Sequence, residues 1–280
     1  MSKAYSYYQH SGAIGPLGPV YMTLLGAIGV VLLGAVYGYA IYYIPLIYFN
    51  FFITLFFGLG VGFLVGYGGK LGKVRNSWAV IVFGLIFGVL AEYAGWISWI
   101  HAASEQAYLL TSPREIFEVL GNVAERGAWS IFSWTPKGAA LYAIWAIEAI
   151  MIIGGSTVSA WGVVSSTPFC EHCNKWVEET TTISNLAPLP DPQEMKHQLE
   201  QGDFTTLNSL ESLEGASAEY TQLALPHCPG CEGSYFLTVK GVTVSKDSKG
   251  KEKKDETTLV ENLHISAADY QMLLERRQGA

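Results

Sequence analysis

Trp161-Gly162-Val163-Val164-Ser165-Ser166-Thr167-Pro168-Phe169-Cys170-Glu171-His172-Cys173 holds the turning point of this 280-residue chain. Up to Val164 the residues are apolar, aromatic and glycine-rich; from Ser165 onward they are polar and charged. Setting Lys and Arg against Asp and Glu gives seven against six before this point and ten against eighteen after it, +1 and −8. Apolar runs of roughly 20 residues are long enough to cross the hydrocarbon core of a bilayer as helices. The expected architecture is an α-helical membrane bundle over residues 1–166 followed by a small α+β soluble domain over 167–280.

Working back from the turning point, residues 138–164 read as the last of four spans, with Trp145 inside it and Trp161 near its inner end. The others are expected at about 20–44, 46–68 and 78–100, with Pro45 breaking the first from the second. The apolar run from Val20 continues without a small-residue cleavage site, so it reads as a retained helix and not a signal peptide. Gly34 and Gly38, and Gly58, Gly62 and Gly66, recur every four residues. That spacing makes a flat stripe for close helix packing, inside the bundle or as the seam of a homo-oligomer. Lys70, Lys73 and Arg75 fall in one short loop without an acid. Positive charge in short loops stays cytoplasmic. Counting crossings from that loop puts both termini in the cytoplasm, in a membrane of the bacterial inner (cytoplasmic) type.

The segment 101–137 is too polar to span. Ser112-Pro113-Arg114-Glu115 reads as a helix start, Ser as N-cap and Glu three residues on. An amphipathic helix is expected over 113–126, lying on the outer membrane surface or capping the bundle. Glu92 and Glu148 lie within the third and fourth spans, at similar depths. Ionisable groups there are costly and face the bundle interior. They read either as hydrogen-bonded contacts, to Tyr93, Tyr142 or backbone, or as a proton relay or cation-binding pair in a small transporter or channel subunit.

Forward of the turning point, Cys170-x-x-Cys173 and Cys228-x-x-Cys231 hold every cysteine in the chain. Two such turns facing each other complete a tetrahedron of sulfur around one metal. Gly230 and Gly233 suit the bend of the second turn. His172 and His227 are possible alternative ligands. A reducing cytoplasm keeps thiols available for metal, which agrees with the loop charge. Between the pairs, a helical insert is expected over 191–213: a helix started by Asp191-Pro192 and ended by Gly202, then a second with Leu207, Leu210 and Leu213 on one side. It reads as a partner-docking surface or as a cover for the domain's apolar face. Strands are expected at 176–184, 220–225, 234–245 and 257–265, a charged turn at 246–256, and a closing helix from Ala267.

Cys170, Cys173, Cys228 and Cys231, with strands after each pair, resemble the zinc-ribbon superfamily and its rubredoxin-like knuckles. The resemblance covers about 169–184 and 223–265 and implies a metal, not a task. The membrane half resembles uncharacterised bacterial multi-pass membrane proteins in general style. One structural Zn2+ is expected, and four thiolates leave no open position for water, so an enzyme is not. No Walker loop, dinucleotide fingerprint, zinc-protease helix or serine-hydrolase elbow is present. The acidic second half has the wrong sign for nucleic acid. The reading is a membrane-anchored scaffold or adaptor docking a cytosolic or membrane protein. The alternatives are the transporter or channel subunit using Glu92 and Glu148, and a membrane thiol redox protein.

Overall fold

In the computed structural model, which describes residues 5–44, 46–130, 134–215, 217–231, 233–246 and 251–278, the chain divides into two units. One is His10–Ser166; the other is Thr167–Ala280 together with Met1–Gln9. Residues 5–9, expected in the membrane half, belong to the polar unit.

The apolar unit contains α1 (Gly18–Tyr43), α2 (Ile47–Leu71), α3 (Ser77–Ala103), α4 (Pro113–Arg126) and α5 (Ala139–Ser165). Of these, α1, α2, α3 and α5 are long and apolar enough to cross a membrane. A proline near its first turn starts α1, where the missing N–H costs nothing. Asn76 starts α3 by accepting the Ala79 N–H at 2.9 Å. The last turn of α3 runs three residues past the expected end at 100, and there His101 Nδ1 is hydrogen-bonded to the Tyr39 hydroxyl at 2.6 Å.

Small residues set the packing. α1 packs against α2 and α3, and α5 packs against the same two helices. A Cβ on Gly58 or Gly66 would lie 2.7 or 2.6 Å from the carbonyl oxygens of Ile152 and Ala160. On the other side of α5, a Cβ on Gly84 or Gly88 would lie 2.8 Å from the Cα of Thr157 or Ile153. Backbone therefore meets backbone on both sides of α5, the approach that glycine permits. Ser156, fully buried, donates its hydroxyl to the Gly84 carbonyl at 3.0 Å. The stripe of Gly34 and Gly38 is likewise filled, by Ala94 and the backbone of Trp99. Both glycine stripes are used within the chain.

The basic loop is only partly a charge signal. Arg75 is 9% exposed. Its guanidinium donates to the Lys73 carbonyl at 2.8 Å and to the Ser11 hydroxyl at 3.3 Å, and its N–H to the Ala13 carbonyl at 2.8 Å. The α2–α3 loop thus clasps the stretch before α1. At the opposite end of the bundle, α4 buries Ile116, Leu120 and Ala124. The first two pack with Ile100 and partly buried Trp96 and Trp145, so this face caps the bundle. Ser112 precedes it but makes no side-chain capping bond; the expected capping box is not formed. Gly127, at φ 90°, ends it.

The polar unit contains β1 (Phe169–Cys170), β2 (Lys175–Trp176), β3 (Thr180–Leu186), α6 (Pro192–Glu200), α7 (Thr205–Ser209), β4 (Glu219–Pro226), β5 (Tyr235–Lys246), β6 (Glu252–Ile265) and α8 (Ala267–Gln278). β1 and β2 pair; β3-β4-β5-β6 form an antiparallel sheet in that order. Asp191 caps α6 by accepting the N–H groups of Gln193 and Glu194 at 3.0 and 3.1 Å. The second expected helix of the insert is only the single turn of α7. Beyond it the chain is extended: Leu213 N–H donates to Asn185 at 2.7 Å, and Ala187 N–H to Glu211 at 2.8 Å. Edge pairing with the end of β3 satisfies that backbone where a helix would have left it. Met195, Leu199, Leu207 and Leu210 enter one core with Leu223, Leu237, Leu263 and Leu273. The insert therefore covers the sheet.

Residues 252–256, expected in a charged turn, are strand; pairs run from Val242↔Glu256 to Lys246↔Glu252. Cross-strand charges support them, Lys240 to Glu256 at 2.9 Å. Residues 247–250 of that turn lie outside the described residues. The N-terminal segment adds to the edge of β6. Tyr7 bridges Leu263, Tyr8 N–H donates to Asn262 at 2.9 Å, and His264 N–H donates to Ser6 at 3.0 Å. The Tyr7 hydroxyl donates to the Glu200 carboxylate at 2.7 Å.

Overpacking at the helix contacts is the sharpest test of this bundle. Gly66→Ala is expected to cost about 1–3 kcal/mol and to lower the thermal midpoint in detergent. Gly162→Ala, where an added Cβ meets nothing within 4 Å, should be neutral or stabilising. Equal losses at the two positions would contradict the packing.

Candidate metal centre

Two turns bring four sulfurs together. In the first, β1 and β2 pair Cys170 with Lys175. Asn174, at φ 52°, closes the turn between them, a conformation asparagine tolerates better than most residues. Cys173 N–H points at Cys170 Sγ, 3.4 Å away. In the second, Cys228 N–H donates to Ser234 at 3.0 Å, which sets the turn ahead of β5. A Cβ on Gly230 would stand 3.1 Å from Cys173 Sγ, while one on Gly233 would meet nothing within 4 Å. Gly230 is needed for space, not for an unusual φ, and Gly233 makes room for nothing.

The sulfurs of Cys170, Cys173, Cys228 and Cys231 all lie within 4.8 Å of one another, and all four cysteines are free. A tetrahedron with metal–sulfur bonds of about 2.3 Å has edges of about 3.8 Å. The Cys170–Cys231 separation is 3.4 Å. The donor set and its spacing fit a metal ion. Cys170 and Cys228 are buried with Val177 and Phe236, while Cys173 and Cys231 are partly exposed. Burial would raise the Cys170 thiol, but hydrogen bonds from the Ser234 hydroxyl, the Cys173 N–H and the neighbouring sulfurs bring it down to about 6. The sulfurs of Cys231 and Cys228 push the Cys173 thiol up to about 12. Without a cation the group shares its protons; a divalent ion would let all four ionise.

Neither histidine joins the group. His172 is exposed, with Nδ1 3.9 Å from Cys173 Sγ. His227 points elsewhere, Nε2 being 3.7 Å from Glu179 and the ring 5.3 Å from that of Tyr270. One contributor was not read from the sequence. Tyr8 lays its ring edge-on against Phe236, centroids 5.4 Å apart, and its hydroxyl accepts the Phe169 N–H at 3.0 Å. The aromatic spacing of Tyr5, Tyr7 and Tyr8 was the available signal, but so short a segment carries no strand period.

Glu92 of α3 and Glu148 of α5 are brought to one place. Both line a cavity of about 800 Å³ at the end of the bundle remote from the basic loop. Glu92 accepts the Trp96 indole N–H at 2.7 Å. The tyrosines expected as partners are engaged otherwise: Tyr93 donates to the Thr111 carbonyl, and Tyr142 packs edge-on against Trp145. Comparison with protein-family models, curated proteins and solved structures finds no match.

Two outcomes test the centre. Bound metal should be released as the pH falls, because protons compete for the four thiolates; a metal content unchanged down to the pH at which the sheet itself unfolds would contradict thiolate ligation. Tyr8→Ala should speed metal loss to a chelator about tenfold, matching roughly 1–1.5 kcal/mol for one buried hydrogen bond and its packing, whereas Tyr67→Ala should not.

Proposed function

We propose that the chain is a multi-pass integral membrane protein, of the bacterial cytoplasmic membrane, with both ends in the cytoplasm and one structural zinc ion. Its polar unit is a scaffold or adaptor that docks a protein partner. The observation that carries this reading is the closed set of four sulfurs. A metal held there keeps no position for substrate, so its work is to order the unit around it. Zinc is the ion that four thiolates on two tight turns suit best.

The sidedness draws on three supports. Lys70, Lys73 and Arg75 sit in the short α2–α3 loop. Free thiols persist in a reducing compartment. The pairing of Ser6–Tyr8 with β6 ties the start of the chain to the unit that follows α5, which an even number of crossings permits. Lipid contact is supported by the outward face of α1, where Val31, Leu32 and Val36 are 61–67% exposed. Docking is supported by a cleft of about 550 Å³ beside the second knuckle, walled by His227, Tyr235, Tyr270 and Leu274. The formal charge of −8 after residue 164 suits a partner with a basic surface and disfavours nucleic acid.

The test is a cross-linking pull-down of the full chain from cells, comparing wild type with Cys170→Ser, Cys228→Ser. The variant should insert at normal levels and lose the partner that wild type retains. Retention of that partner at wild-type yield would move the docking surface to the helices and contradict the proposal.

A further inference from the structure

The cavity at the far end of the bundle carries a chemistry of its own. It is formed by the C-terminal part of α1, the N-terminal part of α2, the C-terminal half of α3, the start of the α4–α5 connection and the N-terminal half of α5. Among the described residues, nine of twenty-one that line it are aromatic and none is Lys or Arg. Trp96 and Trp145 meet edge to face, centroids 5.1 Å apart, and place indole surface beside the glutamates. Glu92 and Glu148 supply two carboxyl groups from different helices. Asn50, Ser130 and the hydroxyls of Tyr37, Tyr42, Tyr48 and Thr54 add neutral polar groups, those of Tyr37 and Thr54 lying 3.5 Å apart.

This wall offers two carboxyl groups and many π faces and, among the described residues, no basic side chain to balance them. Carboxylates at membrane depth are stabilised by a counter-charge. Aromatic faces attract a cation, more strongly where water is excluded. A bare metal ion does not suit about 800 Å³ of largely aromatic wall, and among the described residues only the cysteines form a group of metal-ligand type. An acyl chain would leave the two carboxyl groups without a counter-charge. From these observations we infer that the cavity is a binding site for an organic ammonium ion. The charged nitrogen sits between Glu92 and Glu148, and its substituents lie against Trp96 and Trp145. The ammonium can belong to a free amine or to a phospholipid headgroup. The site is independent of the metal centre and of partner docking.

The experiment uses the full-length chain in nanodiscs of phosphatidylglycerol alone, which has no ammonium, and in nanodiscs containing phosphatidylethanolamine. The probe is benzyltrimethylammonium, with neopentylbenzene as its neutral isostere; the readouts are tryptophan fluorescence and thermal midpoint. Saturable binding of the cation in phosphatidylglycerol, at least tenfold tighter than the isostere and weakened at least tenfold by Glu92→Gln or Glu148→Gln, assigns a free ammonium ligand. Failure of the probe together with phosphatidylethanolamine retained through purification by wild type, and lost from the double Gln variant, assigns the headgroup. Equal binding of probe and isostere, binding indifferent to both substitutions, or neither ligand bound overturns the inference. The isostere comparison is made on wild type, so the outcome stands even where a variant folds poorly.

Discussion

Four sulfurs within 4.8 Å of one another cannot all carry charge unless a cation lies among them. That constraint reaches through the polar unit. The second turn also sets the start of β5, through the bond from Cys228 N–H to Ser234. Phe236 and Val177 pack directly on them, and Tyr8 brings the N-terminal segment onto the same cluster. For a sheet of four strands covered by two short helices and a C-terminal one, a metal cross-link joining residues some sixty apart removes much of the unfolded chain's freedom.

The apolar unit is held by a different force. In a bilayer, lipid would offer these helices as good an apolar environment as they offer one another, so burial of leucine would not assemble them. Close backbone approach does. Glycines on α2 and α3 receive α5 from both sides, and Ser156 closes a buried hydrogen bond across that contact. The end near the α2–α3 loop is tied by Arg75; the other end is left hollow under α4 and lined with aromatic rings and two glutamates.

Much of this was legible in the residues. Apolar runs of the right length mark the four long helices, and two C-x-x-C turns mark the sulfur cluster, because both patterns are imposed by simple physics: bilayer thickness and tetrahedral coordination. What failed to read was what depends on pairing at a distance. Leu210 and Leu213 sit at helical spacing from Leu207, yet that stretch lies beside β3, whose edge offered hydrogen bonds that a lone turn of helix could not match. Lys253 to Glu256 look like a solvated turn, but a long hairpin tolerates charge on both faces once Val242 and Val244 fix its register. Ser6 to Tyr8 are too few to show a period. The partner of Glu92 is Trp96, one helical turn away, while Tyr93 is drawn off to the Thr111 carbonyl, a choice set by side-chain direction and invisible to spacing.

The claim on which the rest depends is that one metal ion sits among the four cysteines. The direct measurement is zinc per chain on the purified full-length protein, with thiols counted before and after a mercurial displaces the metal. One zinc per chain, with four thiols masked until release, is the result this account requires. Absence of zinc with the cysteines present as two disulfides would contradict it, remove the reason for placing the polar unit in a reducing compartment, and make thiol redox chemistry the leading role for that unit.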